Sequence, residues 1–223
     1  MVSQKRYYDT QQANARMTDV AWLAEEGSYF KALNPTPDSA IPQAIVAAFS
    51  ATSALLNVRN HAVAGSGTRI YPDYLRLLLT QAPASATAAE ILIAIDNPAT
   101  PRFSSGGSAI ATLPNANMDD ASASSAVINF GALVLTAESA SVRRIARAKL
   151  FHAIPVVGSE FLILFNRPRG EQSALSGAGP LRMVLSVGPT IIGPQQDLCL
   201  HTWYPANAVT PAAFEFELGY FER

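Results

Sequence analysis

Three histidines are the residues of this 223-residue chain best suited to metal binding or proton transfer, and each stands alone. His61, His152 and His201 all lack a second histidine or cysteine at the spacing that a zinc site uses. A metal site of the cupin type would need a His-x-His cluster, which the sequence lacks. We therefore predict no metal site and no cofactor, with the histidines at the surface or hydrogen-bonded in the core. A site assembled from distant residues is the alternative.

Motifs for nucleophilic catalysis and for phosphate binding are incomplete. The sequence contains no Gly-x-Ser-x-Gly nucleophile elbow. Gly65-Ser66-Gly67 has the spacing that opens a dinucleotide-binding loop, but Ile70 stands where the third glycine is needed. The segment also lacks the lysine of a P-loop. We predict a hairpin turn at 65–67, directly before a strand.

Neighbouring carboxylates occur at Asp119 and Asp120, and Asp96 follows an apolar segment. General acid–base catalysis needs two carboxyl groups that face one cleft and have separated pKa values. Nothing in the spacing brings these three together, so we predict no catalytic residues and a protein that is not an enzyme. Asn115 and Asn117 place the aspartate pair in a polar loop, which favours a solvated turn over a calcium site. A glycan hydrolase or a metal-dependent enzyme is the alternative.

Aromatic residues and one arginine form the candidate interface. Tyrosine, tryptophan and arginine are the residue types most enriched at binding hot spots. Trp203 and Tyr204 end a strand and enter a loop, where contact residues are common. They could also form the platform of a carbohydrate-binding module, and packing in the core is the alternative for the whole set. The predicted interface residues are Tyr71, Tyr74, Arg76, Trp203, Tyr204, Phe214, Tyr220 and Phe221.

Composition excludes several classes of protein. The chain has 16 basic and 17 acidic residues, so it lacks the basic excess of a nucleic-acid-binding protein. Its one cysteine, Cys199, lies in an apolar segment and rules out an internal disulfide framework. The longest apolar stretch, 41–58, is too polar to span a membrane. Charged residues make up only 15% of the chain, which indicates either a surface covered by partners or a bias towards alanine. We expect assembly in the cytoplasm.

The elements that position these residues are mostly strands. Residues 1–40 are polar and contain Pro35 and Pro37, so we predict an extended N-terminal arm with a short helix at 18–26 that Thr18 caps. Residues 142–154 fit either a helix or a strand. Gly106-Gly107 predicts a turn, Pro72 predicts a bulge or a sheet edge, and Gly131 predicts a bulge. The predicted strands are 54–59 (ALLNVR), 68–80 (TRIYPDYLRLLLT), 89–96 (AEILIAID), 125–135 (SAVINFGALVL), 160–166 (EFLILFN), 181–187 (LRMVLSV), 197–204 (DLCLHTWY) and 214–221 (FEFELGYF).

Serial strands without intervening long helices predict an antiparallel sandwich and not a parallel α/β sheet. We predict an all-β fold in which residues 41–223 form a jelly-roll-like sandwich of about eight to ten strands. An immunoglobulin-like sandwich is the second choice. The last strand alternates Phe214, Phe216 and Leu218 with Glu215 and Glu217, which predicts one buried and one solvated face. We expect this strand at a sheet edge or a subunit contact.

Six segments of strand and turn residues carry a family resemblance. They are 27–30 (GSYF), 34–37 (NPTP), 69–77 (RIYPDYLRL), 95–97 (IDN), 102–107 (RFSSGG) and 154–158 (IPVVG). Together they resemble structural proteins of tailed-bacteriophage virions. The resemblance implies a non-enzymatic head decoration (cement) protein that bridges and stabilises major capsid subunits. Its partners would be the major capsid protein and copies of itself, as a homotrimer, with no nucleic acid and no membrane, in a virion assembled in the host cytoplasm. A tail, adaptor or fibre-associated role is the alternative.

Overall fold

The strands of this chain form two sheets packed face to face. A computed structural model describes residues 21–37, 39–83, 89–111, 113–150, 155–165, 173–175, 180–205 and 212–223. These residues hold thirteen β-strands and a helical turn at 21–25. That turn overlaps the predicted helix at 18–26, whose start at Thr18 lies outside the described residues. No helix in the described ranges is long and apolar enough to cross a membrane.

The first sheet contains seven strands in the order β1-β13-β4-β9-β11-β10, with β2 pairing on β13. All its pairings are antiparallel except that of β11 with β9. Its strands are β1 (Tyr29–Leu33), β2 (Ile41–Pro42), β4 (Ile70–Gln81), β9 (Glu160–Leu164), β10 (Ser173–Leu175), β11 (Arg182–Ser186) and β13 (Ala213–Glu222).

The second sheet contains six strands in the order β6-β7-β3-β12-β5-β8, all antiparallel. The segment 142–154, which fitted either a helix or a strand, supplies β8 as an edge strand. Its strands are β3 (Ser53–Asn60), β5 (Glu90–Asp96), β6 (Phe103–Ala109), β7 (Ala126–Leu135), β8 (Arg143–Lys149) and β12 (Asp197–Trp203).

Eight of the strands confirm the predicted jelly roll. In chain order these are β1, β3, β4, β5, β8, β9, β12 and β13. The first sheet arranges them as first-eighth-third-sixth, and the second as second-seventh-fourth-fifth. This is the strand order of a jelly roll, in which two Greek keys close over one core. The β6–β7 pair widens the second sheet beside β3, and β11 and β10 extend the first beyond β9.

The core lies between the inner faces of the two sheets. Phe130 on β7 stacks on Phe216 on β13, with ring centroids 4.2 Å apart. Leucines and isoleucines of both sheets, among them Leu56, Leu77 and Ile93, are fully buried around this pair. Burial of such residues is the main stabilising contribution to the fold, at roughly 25 cal/mol per Å² of apolar surface.

The strands are irregular at Pro72 and at Gly131, the two positions where the sequence predicted it. The register of β4 against β13 shifts beside Pro72, because proline cannot donate a ladder hydrogen bond. Gly131 has a φ of 117° within a bulge of β7, and a side chain there would meet Ile41 and the backbone of Gly107. The chain therefore needs glycine at this position for both conformation and space.

Three expectations were wrong in detail. Gly106 and Gly107 do not form a turn: they lie inside β6, which follows β7 through two register shifts. The predicted arm, 1–40, contributes β1, so the sandwich begins before residue 41. The last strand is not a sheet edge, because β13 is hydrogen-bonded to β1 on one side and β4 on the other. Its alternation is as predicted, with Glu215 and Glu217 on the outer side.

Candidate interaction surfaces and the buried polar network

Aromatic side chains line the outer face of the first sheet, the face turned away from the core. Tyr71 on β4 lies opposite Phe221 on β13, and their rings stack with centroids 4.7 Å apart and an angle of 4° between planes. Both rings are partly exposed. A stacked pair of this kind leaves apolar ring surface available to a partner.

Two further tyrosines cover Gly219 in the middle of this face. Gly219 pairs with Lys31 on β1 and with Tyr74 on β4, and a side chain on Gly219 would collide with the hydroxyl of Tyr29 and the ring of Tyr74. The Tyr29 hydroxyl donates a hydrogen bond to Asp73, with 2.9 Å between the oxygens. Glycine is needed here for the space that the two rings occupy.

Glu217 is the charged centre of the outer face. It accepts hydrogen bonds from the Tyr74 hydroxyl and from Lys31 Nζ, the latter at 3.3 Å. Burial opposes its ionisation, but these two donors outweigh burial and hold the pKa of Glu217 below its ordinary value. Burial and the hydrogen bond to Glu217 together raise the pKa of Tyr74. The tyrosine therefore stays protonated and the glutamate stays charged near neutral pH.

The far side of the same face mixes charged and aliphatic side chains. Arg76 Nε donates to Glu160 at 2.8 Å, and Arg182 lies 3.8 Å from the other oxygen of Glu160. Between them Leu78 and Leu162 are partly exposed. The Arg76 side chain is 41% exposed, so it can bind a partner without breaking the fold.

The predicted interface residues divide into two groups. Tyr71, Tyr74, Arg76 and Phe221 lie together on the outer face of the first sheet, and their role in binding stays a prediction. The other predicted residues are inside the chain, where the alternative of core packing describes them: they are Trp203, Tyr204, Phe214 and Tyr220.

Trp203 and Tyr204 do not form an exposed platform. Trp203 is 7% exposed and Tyr204 is 2% exposed. The Trp203 ring packs edge-on against Phe49, whose centroid lies 5.6 Å away in the loop before β3. Arg147 on β8 lies over the other ring surface of Trp203, at 5.7 Å from its centroid. The loop and the arginine therefore occupy the surface that a sugar ring would need.

Charged side chains are buried on the outer face of the second sheet. Arg102 Nη1 lies 2.6 Å from Asp96 Oδ2, and neither side chain is more than 1% exposed. Arg102 also donates to the carbonyl oxygens of Thr136 and Ala51. Asp96 accepts from both the backbone and the hydroxyl of Ser139. Burial opposes the charge on Asp96, yet these donors lower its pKa.

A second buried ion pair lies beside the first. Arg59 Nη1 on β3 is 2.5 Å from Asp197 Oδ2 on β12. Asn57 donates to the other oxygen of Asp197 at 3.0 Å, and Gln195 accepts from Arg59 Nη2 at 2.8 Å. The backbone N–H of Arg102 points to Asp197, with 3.5 Å between the atoms, and so links the two pairs. The network links four loops to the sheet, those that contain Ala51, Arg102, Thr136 with Ser139, and Gln195.

His201 and Cys199 complete this face. His201 Nδ1 lies 2.7 Å from the carbonyl oxygen of Ser53, so Nδ1 carries the proton and donates it. Burial lowers the pKa of His201, and the nearby Arg102 lowers it further. Burial raises the pKa of Cys199 to about 12 and keeps the thiol protonated, as expected of a core cysteine.

The candidate chemical residues stay dispersed in the structure. His61 is exposed, His201 is buried, and His152 lies outside the described residues. Asp119 and Asp120 lie in a loop whose asparagines accept hydrogen bonds from the backbone. No group of three histidine, cysteine, aspartate or glutamate side chains suited to a metal ion occurs within the described ranges.

No family model, curated protein or solved structure matches the chain.

Sequence reasoning missed the buried ion pairs. Arg59 and Asp197 each adjoin an apolar strand segment, which is a signal for a buried charge, but their separation of 138 residues hides the pairing. Arg102 and Asp96 are six residues apart, yet only the loop at 97–102 turns one towards the other. Local sequence patterns indicate that these residues are charged and near apolar strands, but they do not indicate which of them meet in the fold.

Proposed function

We propose that this chain is a non-enzymatic structural protein that docks on other proteins through the outer face of its first sheet. The observation that carries the proposal is the partly exposed group of Tyr71, Phe221, Tyr74 and Arg76 on one continuous sheet face. Large rings that are already held in place lose little conformational entropy on binding, and arginine adds charged hydrogen bonds. Leu33, which is 47% exposed on β1, extends the apolar part of this face.

We further propose that the docking partner is a major capsid protein, that the chain itself forms trimers, and that it decorates a bacteriophage head. Three features support this. The sequence segments resemble virion structural proteins, and the segment 69–77 supplies Tyr71, Tyr74 and Arg76 to the docking face. Jelly-roll domains are common in viral capsids, although a fold alone does not assign a function. The low content of charged residues suits a surface covered in an assembly.

The experiment is a comparison of purified particles that carry the wild-type chain or variants of it. The double variant Tyr71→Ser, Phe221→Ser removes the stacked pair, and we expect its occupancy in a cryo-electron microscopy map to fall by about tenfold or more, as for loss of a hot spot. The control is Val127→Ser, Val134→Ser, which removes two exposed side chains from β7 on the other sheet. Circular dichroism verifies that both variants fold.

Particles that lack the chain altogether would disprove the virion role. Equal occupancy of the serine variant and the wild type would disprove docking through this face. A decoration protein also gains stability from its partners by mass action. The particle-bound chain should therefore melt at a higher temperature than the isolated chain, and equal melting temperatures would contradict bridging.

A further inference from the structure

The edge strand β8 of the second sheet is unusually basic. Four of its seven residues are cationic in a chain whose formal net charge is -1. β8 pairs only with β5, so it ends the sheet in the described part of the chain. Every second backbone N–H and C=O of such a strand points away from the sheet and can pair with another strand. Within the described residues the edge therefore combines positive charge with a side of β8 on which no further strand pairs.

The cationic side chains stand mainly on one side of β8. The register with β5 places Arg144, Arg147 and Lys149 on the outer face. The Arg144 guanidinium lies 4.9 Å from the centroid of Phe49, and Arg147 lies over Trp203. Both arginine side chains are more than half exposed. The rings, together with the ion pairs to Glu138 and Glu90, hold the two guanidinium groups in place at the surface.

The opposite side of β8 is apolar and small at Ala146 and Ala148, and Arg143 lies on this side at the start of the strand, opposite Ile95. Ala146 and Ala148 pack against the main core, and Ile145, in a register shift, is 36% exposed. A strand added at this edge would place alternate side chains beside these alanines, where an apolar residue extends the core. Its remaining side chains would lie beside the arginines, where an acidic residue is complementary. The two faces together specify an alternating acidic and apolar sequence.

We propose that β8 binds an extended acidic segment of another protein by strand addition. In such binding the backbone hydrogen bonds give affinity and the alternate side chains give specificity. Basic residues also protect free edges from aggregation, but protection alone does not require arginines stacked in place on aromatic rings. Glu138 and Glu90 pair with Arg144 and Arg147, which breaks up the continuous basic stripe that a nucleic acid would need. This surface is separate from the docking face of the first sheet.

The test uses the purified chain and fluorescence anisotropy with three labelled probes. These are a short peptide in which Glu and Val alternate, the same peptide with Lys for Glu, and a single-stranded oligothymidylate. We expect the Glu-Val peptide to bind about tenfold or more tightly than either other probe, and its affinity to fall as salt rises. Hydrogen exchange should show new protection of the β8 amides on binding, because strand addition pairs them.

A pair of charge-reversal variants tests the surface itself. Arg144→Glu, Arg147→Glu should weaken binding of the Glu-Val peptide by about tenfold or more. The matched control, Arg69→Glu, Arg223→Glu, reverses the same charge on two exposed arginines beside the ends of β4 and β13 and should leave affinity within about twofold. Arg144→Lys, Arg147→Lys keeps the charge but not the planar stacking group, so it should bind at an intermediate level while remaining folded.

Several results would overturn the proposal. One is a failure of the Glu-Val peptide to bind, and another is equal binding by the Arg144→Glu, Arg147→Glu variant. Tighter binding of the oligothymidylate would assign the surface to a nucleic acid instead. Peptide binding without protection of the β8 amides would exclude strand addition. None of these measurements uses a particle or the docking face of the first sheet, so they do not depend on the virion proposal.

Discussion

Arg102 and Asp96 illustrate the energetic weight that one buried residue can have. Each of the three donor nitrogens of the Arg102 side chain has a partner: Asp96, Thr136 or Ala51. A buried charge with all its hydrogen bonds satisfied is tolerated, whereas one that loses its partner is strongly destabilising. Because the two carbonyl partners belong to separate loops, this single guanidinium also fixes how those loops cross the second sheet.

Arg102→Met should therefore be strongly destabilising. The substitution keeps the apolar length of the side chain but leaves the Asp96 carboxylate buried without its cation, which costs about 3–5 kcal/mol. Urea denaturation followed by circular dichroism measures the change in free energy of unfolding. The control is Arg144→Met, whose ion pair with Glu138 is half exposed and should contribute about 1 kcal/mol or less. Equal losses in the two variants would contradict the importance of burial.

His201 should make stability depend on pH. Burial lowers the pKa of His201 in the folded chain, so the unfolded chain binds a proton at higher pH than the folded chain does. The free energy of unfolding should then fall as pH decreases below about 6.5, the ordinary pKa of histidine, and level off below the folded pKa. Arg102 and Glu138 are the charged groups that act on this ring.

The measurement is urea denaturation of wild type and His201→Asn at a series of pH values. The asparagine amide can occupy the position of Nδ1 and keep the hydrogen bond to Ser53, but it does not titrate. We expect the stability of this variant to change less between about pH 7.5 and pH 5 than that of the wild type. The control, His61→Asn, alters an exposed histidine, and its free energy of unfolding should change with pH as that of the wild type does. If the free energy of unfolding of His201→Asn depends on pH as strongly as that of the wild type, a group other than His201 causes the pH dependence.

At the scale of an element, the packing on the outer face of β13 requires a glycine at position 219. Gly219 lies between two paired strands, and the rings of Tyr29 and Tyr74 fill the space above it. Their hydroxyls then reach Asp73 and Glu217, on neighbouring positions of the same face. The hydrogen-bonded tyrosines of the docking face thus depend on a residue without a side chain.

Gly219→Ala should displace both tyrosines. The added methyl group overlaps the two rings, and forced repacking of this kind costs about 1–3 kcal/mol. Thermal unfolding gives the stability, and the near-ultraviolet circular dichroism of tyrosine reports the change in ring packing. Gly188→Ala is the matched control, because a methyl group there meets nothing within 4 Å. A Gly219→Ala variant with wild-type stability and spectrum would refute the close packing.

At the scale of the whole molecule, the stack of Phe130 on Phe216 joins the two sheets. Phe130 is fully buried on β7 of the second sheet, and Phe216 is its partner on the first. β13 and β7 are 80 or so residues apart in the chain, so the contact closes a long loop on folding. The sandwich is held by such contacts because no disulfide is available to a chain with one cysteine.

Phe130→Ala should cost about 3–5 kcal/mol, since it removes a large buried ring and leaves a cavity between the sheets. In chemical denaturation this loss lowers the denaturant concentration at the midpoint of unfolding, while the dependence of the unfolding free energy on denaturant concentration stays unchanged. Val134→Ala on the same strand is the control, because that side chain is 49% exposed and contributes little to the core. A loss below about 1 kcal/mol for Phe130→Ala would show that the sheets are held mainly elsewhere.

The sequence by itself determined most of the long strands, the all-β sandwich class and the irregularities at Pro72 and Gly131. These follow from local physics, because the alternation of apolar and polar side chains and the constraints of proline and glycine act over a few residues. Glu215 and Glu217 alternate with Phe214 and Phe216, so the solvated side of β13 can be predicted without knowing which strands pair with it.

Only the tertiary structure decided which aromatic residues are exposed and which charges meet. Trp203 is buried because a loop carrying Phe49 crosses the outer face of the second sheet, and no local pattern specifies that crossing. Arg59 meets Asp197 because β3 and β12, far apart in the chain, pair side by side. Long-range pairings depend on the total free energy of the whole packed sandwich, which the sequence around any one residue does not contain.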